Sequence, residues 1–211
     1  MVAGSATGLG SRSGSPLAND DPSDDGRDRE APHAAVGPET GDVVTPDHMV
    51  AAAIDVAGTG MAAGELPIGA VVVMGDDIVA QSQTRERGIG RRLVHADLLA
   101  MIGADERLGF AKRPAPLALA VNLEPCVMCL GAAMTLGVAE VFYALESPGD
   151  GGTGIAAQWR NSPDTPFFRT PTMTGGIYRA RARGQFRRYC AVAPDSGFKT
   201  WARTLADLPD R

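Results

Sequence analysis

Residues 122–134 read NLEPCVMCLGAAM, and the two cysteines three positions apart constrain this chain more than any other feature. The preceding run APLALAVNL is short and continuously apolar, as a buried strand is. Pro125 stops that strand and sits just before a helix that Gly137 closes, so Cys126 and Cys129 fall on the helix's opening turn. A spacing of three puts both sulfurs on one face. The helix N-terminus favours their thiolate forms. Two thiolates do not complete a tetrahedral zinc site, and the chain has no second C-x-x-C for a structural ribbon. A third ligand from elsewhere would leave the fourth position to water, which is the catalytic arrangement. A lone C-x-x-C also fits a thioredoxin-like redox pair, although that motif normally precedes a different strand pattern.

The sequence contains three histidines. His33 lies in a polar leading segment, and His48 opens the first helix, far from any partner motif. His95 begins a helix about thirty residues before the cysteines, separated from them by one strand. In a β-α-β-α arrangement, neighbouring parallel strands would bring both helix starts to one sheet edge, where ligands bind. The third cysteine, Cys190, reads as a small buried hydrophobe.

The rest of the chain supplies the scaffold. Residues 1–45 hold eight acids and three bases and almost no large apolar side chain, so they are expected to be a disordered acidic tail. The domain then spans 46–211. Seventeen acids balance seventeen bases over that span, and the net charge of −5 belongs to the tail. A neutral body makes no broad electrostatic case for nucleic acid, although arginines can still cluster locally. Thr45 and Pro46 signal a helix start, and LPIGAVVVMGDDIVAQSQ is a hairpin. His95 to about Asp105 is helical, AEVFYAL is a strand, and GIYRARARGQFRRYC and GFKTWARTLADL close the chain as helices. Between them, residues 146–174 read as a long Gly- and Pro-rich loop. No run approaches eighteen uncharged apolar residues, so no membrane span is expected. Three cysteines, two of them in one motif, point to a reducing compartment, the cytoplasm.

Taken together, HAD (95–97) and PCVMC (125–129) resemble the H-x-E…P-C-x-x-C signature of zinc nucleobase deaminases, except at the glutamate. GELPIGAVVV (64–73), LEPCVMC (123–129), GAAMTLGVAEVFYAL (131–145) and TGGIYR (174–179) are similar to successive blocks of bacterial tRNA adenosine deaminases and their guanine and cytosine deaminase relatives. The resemblance covers roughly residues 46–190. It implies an α/β fold: a three-layer α-β-α sandwich around a central mixed five-stranded sheet, cytidine deaminase-like. It also implies Zn2+ held by His95, Cys126 and Cys129, and a homodimer. In the implied mechanism zinc lowers the pKa of its water to about 7, and the family's glutamate, here Asp97, shuttles the proton. Backbone carbonyls of Leu123 and Glu124 would hold the departing amino group.

Three departures shape the expected function. Asp97 is one methylene shorter than glutamate. Positions two apart in a helix point about 200° away from each other, so this carboxylate must reach around to the water. Thr84 stands where the tRNA deaminases carry an asparagine, and a hydroxyl cannot supply an amide's paired donor and acceptor. The 146–174 loop is longer than in a compact tRNA enzyme. The expected function is hydrolytic deamination of a small nucleobase, nucleoside or related amino-heterocycle, with ammonia as product. The alternatives are a tRNA adenosine deaminase, favoured by Arg179, Arg181, Arg183, Arg187 and Arg188, and a non-catalytic zinc-bound scaffold, favoured by Asp97. The plain account of the arginine set is a solvated helix face.

Overall fold

The computed structural model describes residues 44–210. The expected tail and His33 therefore lie outside the described residues, apart from Val44 and Thr45. Helix α1 (Pro46–Ala62) begins where the sequence signals it, with the Thr45 hydroxyl accepting from the His48 N–H and Pro46 in the first turn. Strands β1 (Gly69–Met74) and β2 (Asp77–Gln83) pair antiparallel around Gly75 and Asp76. Gly75 takes φ +63°, the left-handed value that a two-residue hairpin turn requires. A short helix α2 (Glu86–Ile89) precedes α3 (Ala96–Leu108), and β3 (Leu117–Leu123), α4 (Val127–Leu136) and β4 (Val138–Leu145) follow.

The expected loop 146–174 is broken by two elements, a helix α5 (Thr153–Gln158) and a strand β5 (Thr172–Thr174). Both are too short for a periodic signal, and β5 has no buried residue of its own. It owes its existence to parallel pairing with β4, from Glu140–Thr172 to Phe142–Thr174. Helices α6 (Arg179–Val192) and α7 (Gly197–Ala206) complete the fold.

The sheet is mixed and five-stranded, in the order β2-β1-β3-β4-β5. Alternation along β3 sorts its side chains between two cores. Leu117, Leu119 and Val121 face α3 and α4, while Ala118 and Ala120 face α1, α6 and α7. This is the expected α-β-α sandwich. Small residues on the second face let α1 lie close to the sheet. At Gly69 a Cβ would stand 2.3 Å from the Ala57 amide nitrogen, so only glycine fits that crossing. A buried polar knot ties the same layers. Asn122 accepts from the Gly69 N–H and donates to Pro67 O and Gln185 Oε1, and Gln185 donates to Ile54 O.

The strand placement corrects one expectation. The strands that feed α3 and α4 are β2 and β3, and they are not neighbours, because β1 lies between them and runs antiparallel to both. Two reversals restore the direction, so β2 and β3 still end at the same sheet edge. The hairpin inserts its first strand into the centre because β1 is buried almost throughout and β2 is not.

Candidate metal centre

His95 is the N-cap of α3 and Cys126 is the N-cap of α4. Both have extended backbone there, and neither side chain caps its own helix. Each is therefore free to turn towards the other. Cys129 follows on the first turn of α4 and is fully buried. The Nδ1 atom of His95 lies 3.5 Å from Cys126 Sγ and 3.7 Å from Cys129 Sγ, and all three donor atoms fall within 4.8 Å of one another.

These distances test whether zinc fits. Bond lengths of about 2.3 Å to sulfur and 2.05 Å to nitrogen, at a tetrahedral angle, require nitrogen and sulfur about 3.6 Å apart. Both separations match that value without rearrangement. Among the described residues, these three form the group of His, Cys, Asp and Glu side chains able to hold a metal ion. Asp97 is not one of the group, which leaves its carboxylate for another role.

The electrostatics are those of an ion-pair nest. The thiol of Cys129 hydrogen-bonds Cys126 and, with help from His95, pulls the Cys126 thiol down to about 4 against the effect of burial. His95 is pushed up to about 9, chiefly by its hydrogen bond to Cys126. Cys129 is raised far above the ordinary thiol range by the neighbouring sulfur and by burial. Burial also raises Asp97, opposed by the Cys129 thiol facing it. Asp97 is only 4% exposed, yet it borders the same cavity as His95 and Cys126. A buried carboxyl held above its usual range beside a charged cluster marks a candidate functional site.

That cavity is about 740 Å3, within the range that accommodates a drug-sized molecule. Leu123 and Glu124 line it as expected. The Glu124 side chain is committed to the fold, accepting from the Ser147 and Thr153 N–H groups at 2.9 Å each. Thr84 belongs to the wall but is fully buried, with its hydroxyl within 3.2 Å of both Val94 O and Glu86 Oε2. His48 stays exposed at the start of α1.

Sequence reading passed over Glu86, Asp150, Phe198 and Trp201, which also line the cavity. Glu86 Oε1 lies 3.7 Å from His95 Nε2, on the far side of the ring from the sulfurs. No sequence signal marks Phe198 and Trp201, because they reach the site from a helix a hundred residues beyond His95. The arginine set of α6 is mostly paired. Arg179 forms a two-pronged pair with Glu146, and Arg181 pairs with Asp55. Arg183 and Arg187 donate to Leu208 O and Ala206 O, and Arg183 also pairs with Asp210. Four of the five thus have partners in the fold, while Arg181, Arg187 and Arg188 remain exposed on the solvated face.

The family model described as the cytidine and deoxycytidylate deaminase zinc-binding region matches residues 45–145. Residues 45–145 thus resemble the zinc-binding region of that family. The deaminase region is 34% identical over 116 residues to a tRNA(Ile)-lysidine synthase of Deinococcus deserti, covering 54% of this chain and 21% of that one. The chain thus spans about a fifth of that relative's length. It is 29% identical over 125 residues to a tRNA-specific adenosine deaminase of Agrobacterium fabrum, covering 59% of this chain and 80% of that one. Among solved structures, a tRNA:A34 deaminase shares 26% identity at a TM-score of 0.57, covering 65% of this chain and 98% of that one. The guanine deaminase from Nitrosomonas europaea matches the fold at 22% identity and a TM-score of 0.56, over 78% and 98% of the two chains. Among the described residues, no helix is long and apolar enough to cross a membrane.

Proposed function

We infer that this protein is a zinc-dependent hydrolytic deaminase of a small amino-bearing heterocycle, a nucleobase, nucleoside or close relative. One observation carries the reading. Two members of a zinc-compatible His95–Cys126–Cys129 triad, His95 and Cys126, border the same cavity of about 740 Å3 as a buried carboxyl, Asp97. Zinc bound by the triad supplies a water whose pKa is lowered to about 7 and which is therefore nucleophilic at neutral pH. The chain's own residues do the rest. Asp97 would accept one proton from the attacking water on a carboxylate oxygen and pass it to the ring nitrogen, then carry the remaining hydroxyl proton to the departing amine, which leaves as ammonia. Its raised pKa suits both halves of that task. Leu66, Ile68, Val121 and Leu123 form an apolar wall that excludes bulk water from the ring. The backbone carbonyls of Leu123 and Glu124 are assigned to the amino group that leaves, and Thr84 supports the wall through Glu86.

A tRNA adenosine substrate is the second reading, and the similarity to tRNA-specific adenosine deaminases favours it. The arginines that would have supported it are mostly engaged within the fold, which favours the smaller substrate. The thiol-based site suits a reducing compartment, the cytoplasm, and the family resemblance suggests a homodimer. Steady-state ammonia release by the zinc-loaded protein, measured with bases, nucleosides and an adenosine-containing tRNA, tests the assignment. Release from a small heterocycle supports it. Release from tRNA alone transfers the protein to the second reading, and none at all points to a scaffold.

A further inference from the structure

The ring of His95 meets different chemistry at its two nitrogens. Nδ1 faces Cys126 Sγ and Cys129 Sγ, at 3.5 and 3.7 Å. Nε2 lies on the other side of the ring, 3.7 Å from Glu86 Oε1 and within ion-pair distance of it. A metal ion held by the two sulfurs takes Nδ1 and leaves the ring proton on Nε2, where a carboxylate already stands.

Glu86 is built into that place. Its side chain is only 16% exposed, and a carboxylate so enclosed needs partners for its oxygens. Oε2 accepts from the Thr84 hydroxyl, which lies 3.2 Å from it and 3.2 Å from Val94 O. Thr84 is fully buried, and its own N–H donates to Ile68 O. The partner of Oε1 is His95.

The segments that carry the two side chains are tied together one residue from each. Arg85 N–H donates to Val94 O, so the residue before Glu86 bonds the residue before His95. Glu65 is buried and accepts from the Arg87 and Gly88 N–H groups at 3.0 and 2.6 Å, which pins the two residues after Glu86. A helix of four residues has little stability of its own, and these bonds hold α2 where it is. Carboxylate and imidazole thus face each other on a fixed frame, and both border the cavity.

We propose that Glu86 is a positioning residue for the metal-binding imidazole, with Thr84 as the group that sets Glu86 in place. Glu86 keeps the ring proton on Nε2 and limits rotation of the ring, so that Nδ1 is presented to the metal before it arrives. Its charge also makes Nδ1 a stronger donor. The role is separate from that of Asp97, which faces the Cys129 thiol. Thr84 on this account serves the metal site and does not read the edge of a substrate. The inference deepens the proposed zinc site and rests on that reading.

The test reads zinc affinity directly, by competition with a chromophoric chelator at pH 7 on the full chain. E86A should weaken zinc binding about 10–100-fold, the usual cost of losing a carboxylate behind a metal-bound histidine. E86Q keeps the size and an acceptor oxygen but loses the charge, and should fall between E86A and wild type. T84V should weaken binding in the same direction, while T84S, which keeps the hydroxyl, should stay near wild type. Proton NMR of the zinc-loaded chain adds a readout that a merely structural role would not move. The His95 Nε2–H signal, assigned by its absence in H95A, should move upfield and exchange faster in E86A and E86Q than in wild type. If affinity and signal follow Glu86 while no heterocycle is deaminated, the positioning role stands and the deaminase reading falls. If the wild type takes up no zinc, both fall. If E86A and E86Q bind zinc as the wild type does with the signal unmoved, whether or not KM rises, the proposal is wrong.

Discussion

His95 Nδ1 and Cys126 Sγ lie 3.5 Å apart although 31 positions separate them in the chain, and each belongs to the residue at which a helix begins. The sheet makes this possible by ending β2 and β3 at one edge with β1 between them. Two helix N-termini then converge on the same point, where their unpaired N–H groups and dipoles favour thiolate and carboxylate. The site is thus a product of topology, and its chemistry follows from what stands at the two caps.

Zinc content is the first expectation. The purified protein should hold about one zinc per chain, as a three-ligand site with matching separations does. H95A and C126A should lose most of it in elemental analysis. Chelation should lower Tm, because a metal that binds only the folded state stabilises it by mass action. Full zinc content in H95A would remove His95 from the site.

The ligand pKa values fix how zinc binding depends on pH. In metal-stripped protein at pH 7, Cys126 is a thiolate with its pKa near 4, His95 is an imidazolium with its pKa near 9, and Cys129 keeps its proton. Zinc needs both sulfurs ionised and the imidazole neutral, so binding at pH 7 should release about two protons, one from His95 and one from Cys129. Affinity should therefore fall as pH drops from 9 towards 4. Calorimetric titration in buffers of different ionisation enthalpy counts the protons directly, and a count of zero would contradict the assigned protonation states.

Asn122 ties β3 to Gly69 at the start of β1, to Pro67 and to Gln185 of α6 through three buried hydrogen bonds. N122A leaves the Gly69 N–H and the Pro67 carbonyl without their partner. Each unsatisfied buried group costs about 1–3 kcal/mol, so a loss of about 3 kcal/mol or more is expected. Urea unfolding measures it, and a change below about 1 kcal/mol would show that water replaces the amide.

Glu124 clamps the segment that carries Asp150 to the cavity wall. Gly151 passes so close that a Cβ there would meet the carboxylate at 2.4 Å. In E124Q one acceptor oxygen is lost, and either the Ser147 or the Thr153 N–H goes unpaired. KM should rise and zinc content should hold, because Glu124 touches no metal ligand's donor atom. Loss of zinc in E124Q would show that the clamp supports the metal triad itself.

Much of this was legible in the sequence, for identifiable reasons. Thr45-Pro46, Gly75-Asp76 and Gly137 act through local backbone chemistry, so the elements they punctuate could be read directly. The C-x-x-C spacing and the position of His95 implied three ligands on two helix starts. The neighbour relation of β2 and β3 was misread because sequence order does not say which strand of a hairpin takes the central place. Strand β5 escaped notice because three residues carry no period and its pairing comes from β4. Glu86, Phe198 and Trp201 depend on long-range packing, and the pairing of the α6 arginines emerged only once their acceptors Asp55, Glu146, Ala206, Leu208 and Asp210 were seen.

Asp97 decides the account. Ammonia release should be measured on the best substrate for wild type, D97A and D97E, with zinc assayed in each. If Asp97 is the proton shuttle, D97A keeps its zinc and loses about 10²–10⁴-fold in kcat, the contribution of general acid–base catalysis. D97E should also be slower, because the longer side chain crowds a site shaped around aspartate. The contrary result is a wild-type protein inert on every heterocycle and on tRNA, with D97E gaining deamination. That outcome would show a retired active site and overturn the enzyme reading.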